Sequence, residues 1–145
     1  MNDFIVNGKR PLDYALAACD TMMRTFAPES LPPAGRFHYH QGVFLSGMME
    51  TYRLSGETRL LSYVKVWVDS LVNAYGDIVS FNPGQLDDLQ PGVLLFPLYK
   101  DTGDSRYKSA MDTILWFYEH FPKTDSGGFW HNAMSRGQMW LDGLY

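Results

Sequence analysis

One cysteine in 145 residues, Cys19, leaves the chain without an intrachain disulfide. It sits inside an apolar helical pattern, which reads as a buried, inert thiol and fits a reducing, cytoplasmic setting. Runs of positive charge are also lacking. Twelve Lys and Arg face sixteen Asp and Glu, giving a net charge of -4, so no field gathers phosphates and nucleic acid is excluded as a partner. No stretch reaches the roughly 18 apolar residues that mark a membrane span. Met1 to Arg10 lacks a charged start followed by an apolar core, so neither membrane association nor an export signal is expected. Missing too are a GxSxG elbow, a phosphate-binding glycine loop, a dinucleotide fingerprint, an HExxH pair and paired cysteines. No cofactor is expected. His38, His40 and His131 lack the spacing of a metal site, and hydrogen bonding is the expected role for them.

What the chain does have is apolar mass. With 46% hydrophobic and 15% aromatic residues it can bury a core, which predicts one globular domain over residues 1–145 and argues against disorder. Leu12, Ala15, Leu16, Cys19, Met22, Met23 and Phe26 fall on one helical stripe across 11–26, with Pro11 suited to the first helical position. Prolines 28, 32 and 33 then break the pattern. Residues 42–54 are apolar nearly all round and predict an inner helix. Residues 57–75 carry Leu60, Leu61, Val64, Trp67, Val68 and Leu71 on one side and predict an amphipathic, outer one. A brief strand or extended loop is expected over 77–81, with a turn at Asn82, Pro83 and Gly84. Residues 91–99 predict a second inner helix kinked at Pro97, and residues 104–121 a second outer one.

A repeat organises these elements. Ser55, Gly56, Glu57, Thr58, Arg59 match Thr102, Gly103, Asp104, Ser105, Arg106 in chemical type, 47 positions apart. Each marks an inner-to-outer turn. The inner helices open alike, with Gly42 before Val43 and Gly92 before Val93, and Gly143 before Leu144 arrives one period later. Alternating buried and amphipathic helices at this period specify stacked helical hairpins. The period excludes the 34-residue tetratricopeptide and 33-residue ankyrin repeats, and leaves armadillo and HEAT solenoids at about 40–47 residues as the rival architecture. Such apolar inner helices favour a ring closed on itself. The expected fold is therefore all-α, an incomplete (α/α)6 barrel of about five helices whose cut edge exposes apolar flanks.

Three polar and aromatic segments precede the inner helices: Phe37 to Gln41, Gln85 to Gln90, and Phe129 to Asp142. In a ring they converge on one face and share a pocket. Aromatic faces beside carboxylates and amides are what a sugar site requires, and core filling is the competing reading for Trp130 and Trp140. For Asp87, Asp88 and Asp142 the competing reading is helix N-capping, where the dipole depresses the pKa. A catalytic proton then needs burial or a second carboxylate to hold it.

The blocks HYHQGVFLSG (38–47), LDDLQPG (86–92), GGFWH (127–131) and QMWLDGLY (138–145), in this order, resemble the unsaturated rhamnogalacturonyl hydrolases of glycoside hydrolase family 105 over nearly the whole chain. The resemblance implies removal of a 4,5-unsaturated galacturonyl unit from the non-reducing end of rhamnogalacturonan fragments, part of pectin degradation. It implies protonation of C4 of the enol ether, addition of water at C5 and collapse of the hemiketal. It also implies Asp142 as general acid/base, Asp87 as the second carboxylate, and Tyr39, His131 and Trp140 as sugar contacts. Family members carry roughly six hairpins, whereas this chain halts inside the third, so an inactive fragment is among the expectations. Besides the histidines, Arg136 is the cation open to the uronate carboxylate. The expected partner is an unsaturated uronyl oligosaccharide, with a homo-oligomer through the exposed edge a further state left open. A non-catalytic helical-repeat or sugar-binding module is the rival function, and galacturonyl and glucuronyl substrates are not separated.

Overall fold

The computed structural model describes residues 5–141. Among them are five α-helices and no strands, only isolated β-bridges. Helix α1, Pro11–Thr25, begins with Pro11 at its first position, and the Asp13 carboxylate accepts from the Arg10 amide at 2.8 Å and from its guanidinium at 3.1 Å. It ends where Phe26 turns extended, ahead of a short 3-10 turn at Pro28–Ser30. Helix α2, Tyr39–Ser55, is the first inner helix. It starts three residues before the apolar run that predicted it, so Tyr39, His40 and Gln41 belong to its first turn. The cause is Gln41, which is buried and donates from Nε2 to the Leu31 and Pro33 carbonyls at 3.3 and 2.6 Å. Its polarity disguised a core position.

Helix α3, Thr58–Leu71, is outer. It stops short of the expected Tyr75 because Val72, β-branched, turns extended and bridges to Ile78. The second inner element is divided: 3-10 turns at Leu86–Asp88 and Gln90–Leu94 lead into α4, Leu95–Thr102. Pro97 does not kink a continuous helix, as its position suggested. It falls in the first turn of α4, where amides lack intrahelical partners and a missing N–H costs little. Helix α5, Ser105–His120, is the second outer helix.

The two repeated corners share most of their hydrogen bonds, though only Asp104 also caps its helix, accepting from the Arg106 amide at 2.9 Å. Gly56 and Gly103 adopt φ of 75° and 69°, the left-handed region that favours glycine. Their amides donate to the Tyr52 and Tyr99 carbonyls, both at 2.8 Å. The Glu57 and Asp104 amides donate to Ser55 Oγ and Thr102 Oγ1, both at 3.2 Å. Arg59 and Arg106 hold those acids through Nε, at 2.6 and 2.9 Å. Each arginine also reaches back to the preceding outer helix: Arg59 to Asp20 of α1, and Arg106 to Asp69 of α3 at 3.2 Å.

The core lies between the layers, where Leu45, Met48, Leu60, Val64, Val68, Leu95, Leu98 and Tyr107 are buried, and each such aliphatic contributes about 1.5–3 kcal/mol. Cys19 joins it, and burial raises its thiol pKa. Asp69 accepts from the Tyr107 hydroxyl at 2.5 Å, and burial followed by this bond pushes the phenol up to about 12. Along the flank of the last hairpin Val93, Phe96, Leu115, Trp116 and Tyr118 stand exposed. No described helix is long and apolar enough to cross a membrane.

Candidate active site

His38 opens α2 from an extended backbone, φ -143° and ψ 155°, yet its side chain caps no helix amide. The ring turns instead toward the 3-10 turn Leu86–Asp88, with Nε2 3.6 Å from Asp87 Oδ2. Its Nδ1 lies 2.9 Å from His40 Nδ1. Tyr39 packs on both rings, with centroids 4.8 Å from His38 and 4.1 Å from His40. Burial lowers the His38 pKa below the ordinary imidazole value, opposed by the charges of Asp87 and Asp88.

The adjacent carboxylates part company. Asp87 is partly exposed and lines a cavity, whereas Asp88 is fully buried and accepts from the Asn82 amide at 2.8 Å. Burial raises the Asp88 pKa, against the Asn82 amide, His38 and Arg36, whose guanidinium stands 3.9 Å away. Neither forms a helix N-cap, so that competing reading fails for both: the following 3-10 turn and α4 have no side-chain cap.

The cavity, about 460 Å³, is bounded by Tyr39 and Val43 of α2, Asp87 and Gln90, Phe96 of α4 and Tyr118 of α5. Gly42 lets its wall close. A Cβ there would lie 1.9 Å from Gln90 Oε1 and 3.0 Å from Pro91 Cγ.

The third polar segment joins the second through its backbone. Gln85 bridges to Asn132, and the Ala133 amide donates to the Gly84 carbonyl at 2.9 Å. Within it the His131 amide donates to Gln138 O at 2.7 Å, bringing the His131 and Trp140 rings face to face at 3.8 Å and 4°. Trp140 is half exposed, so core filling is not its role.

Of the residues singled out in the sequence, Tyr39 and Asp87 therefore share one cavity, while His131 and Trp140 pair with each other outside its lining. Asp142 and Gly143 lie outside the described residues. Sequence reasoning missed His38 as a neighbour of Asp87, because its two-residue spacing from His40 pointed only weakly to metal. Among the described residues no group of three or more His, Cys, Asp or Glu is disposed to hold a metal ion.

A polar signature marks this end. The buried side-chain atoms without a hydrogen-bond partner among the described residues are Gln41 Oε1, Asp88 Oδ1, Gln90 Oε1, Trp130 Nε1 and His131 Nδ1, all from the three segments. Buried polar atoms are ordinarily satisfied, so their concentration here points to a place where something else binds. A second hollow of about 570 Å³, between α2 and α4 toward the corners, includes Glu50, Arg53, Lys100 and Asp101 but none of these atoms.

The described helices match the solved family 105 glycoside hydrolase of C. acetobutylicum ATCC 824 with a TM-score of 0.82 and 25% identity, over 91% of this chain and 36% of that one. The fold is thus that of an α/α-toroid glycoside hydrolase, of which the chain spans about a third of the length. The family model of Glycosyl Hydrolase Family 88 matches residues 14–145, and the chain belongs to that family. Both findings support the glycoside hydrolase family assignment that the sequence motifs implied.

Proposed function

We propose that this chain serves the hydrolytic removal of a 4,5-unsaturated galacturonyl unit from rhamnogalacturonan oligosaccharides, in cytoplasmic pectin degradation. The observation that carries the reading is the gathering of Asp87, Tyr39 and five buried polar atoms without a hydrogen bond among the described residues, at the end where the inner helices begin. In this reading Asp142 delivers a proton to C4 of the enol ether and activates the water that adds at C5. Asp87 is the second carboxylate beside that acid. Tyr39, His131 and Trp140 hold the sugar, Trp140 through its free face.

The exposed flank formed by Phe96, Leu115 and Tyr118 is the surface against which further helices or a second copy would complete the cavity wall. Turnover of an unsaturated galacturonyl rhamnose disaccharide, followed as loss of enol-ether absorbance, tests the proposal. Asp142→Asn and Asp87→Asn are each expected to lower the rate by roughly 10²–10⁴-fold with the fold intact. An unchanged rate in Asp142→Asn overturns the assignment of the acid. Binding without turnover in the parent chain would instead favour a sugar-binding module.

A further inference from the structure

We propose that His38 is a positioning and proton-supplying residue for Asp87, the middle member of a relay that begins at the exposed ring of His40. Each ring nitrogen of His38 faces one neighbour: Nδ1 stands 2.9 Å from His40 Nδ1, and Nε2 stands 3.6 Å from Asp87 Oδ2. A residue whose task was to begin a helix would turn its side chain onto the helix amides, and His38 makes no such bond. The Tyr39 ring, tilted 42° against it at 4.8 Å, and the nearly parallel His40 ring confine its plane, so the direction of the Nε2–H bond is set by packing.

The position of each group suits its part. His40 is exposed and exchanges protons with solvent, His38 is only 14% exposed, and Asp87 borders the cavity. The starting state is an imidazolium at His40, neutral His38 carrying its proton on Nε2, and ionised Asp87. The Nε2 proton passes to Asp87 Oδ2 while the His40 Nδ1 proton passes to His38 Nδ1. The result is neutral His40, the other tautomer of neutral His38, and protonated Asp87, with one proton moved and charge conserved. The 3.6 Å separation exceeds a hydrogen bond, so the last transfer occurs when ligand binding tightens the contact or through one water. The charged groups facing His38 are Asp87 and Asp88 from the 3-10 turn, His40 from α2 and Arg36 from the preceding loop. Burial keeps the His38 ring neutral to lower pH than a free imidazole, which is the state a relay requires.

The importance of the relay for turnover rests on the role given to Asp87 above, whereas the coupling itself does not. It is tested on the chain by nitrogen NMR of labelled histidine rings across pH. Asp87→Asn should lower the His38 pKa by about half a unit or more, because the stabilising anion is gone, and His40→Gln should raise it, because a neighbouring cation is gone. A His38 titration unmoved by both variants overturns the proposal. His40 is exposed, so its variant gives the reading even should the Asp87 variant unfold. In turnover, His38→Ala should lower the rate and regain it on addition of free imidazole, which a structural role would not produce. Absence of turnover in every form, with the NMR shifts present, rejects catalysis by the chain and leaves the relay standing.

Discussion

The two kinds of inner-helix terminus are built by opposite rules. At the corners, where inner turns to outer, every side chain of the repeat that bears on the turn is engaged: Ser55 and Thr102 accept from backbone amides, and Arg59 and Arg106 are held by two acids each. At the other terminus, five buried polar atoms have no hydrogen-bond partner among the described residues. A fold stabilises itself by satisfying polar groups, and an unsatisfied one costs about 1–3 kcal/mol unless something else meets it. Corners are thus made for stability and the polar terminus for a ligand.

Four outcomes would break or sharpen that contrast, ordered by their expected effect on stability. Arg106→Ala, measured by urea unfolding, should cost about 1–2 kcal/mol, since one guanidinium is shared among Asp104, Asp69 and the Val72 carbonyl. Sugar affinity should not move. Gly56→Ala and Gly103→Ala should each cost about 1 kcal/mol and cost the same, because both corners place the residue at nearly one φ. Unequal losses would show that the corners only look alike.

Asp88→Asn should raise stability at neutral pH while keeping an acceptor for the Asn82 amide. The sign follows from burial: the folded chain holds the Asp88 proton to higher pH than the unfolded chain. Its contribution is full below the unfolded value and falls away as pH rises through the raised one. Asparagine should flatten that fall in thermal melts taken across the acid range. Trp140→Ala, at a half-exposed ring, should change stability by less than about 0.5 kcal/mol and weaken binding of an unsaturated disaccharide severalfold. A large loss of stability there would make the polar terminus structural after all.

Much of the scaffold could be read from residues alone, since Gly56 and Gly103 announce turns and the apolar spacing of Leu60, Val64 and Trp67 fixes a buried face. The start of α2 could not. Gln41 reads as polar, and only the nearby Leu31 and Pro33 carbonyls make it a core residue. Nor could sequence part Asp87 from Asp88, because a 3-10 turn sends neighbours to different sides and the Asn82 amide decides which is buried. The His38–His40 contact was hidden for a related reason. Residues two apart do not face each other on a helix, and they meet here because His38 is still extended while His40 has entered the helix.

The backward reach of the corner arginines bears on how such a chain is made. Arg59 finds its acid in residues synthesised earlier, at Asp20, and Arg106 does the same at Asp69. A hairpin emerging from the ribosome can therefore latch onto the one already folded without waiting for any that follow. Each corner is thus tied to what precedes it in the chain and waits on nothing that follows.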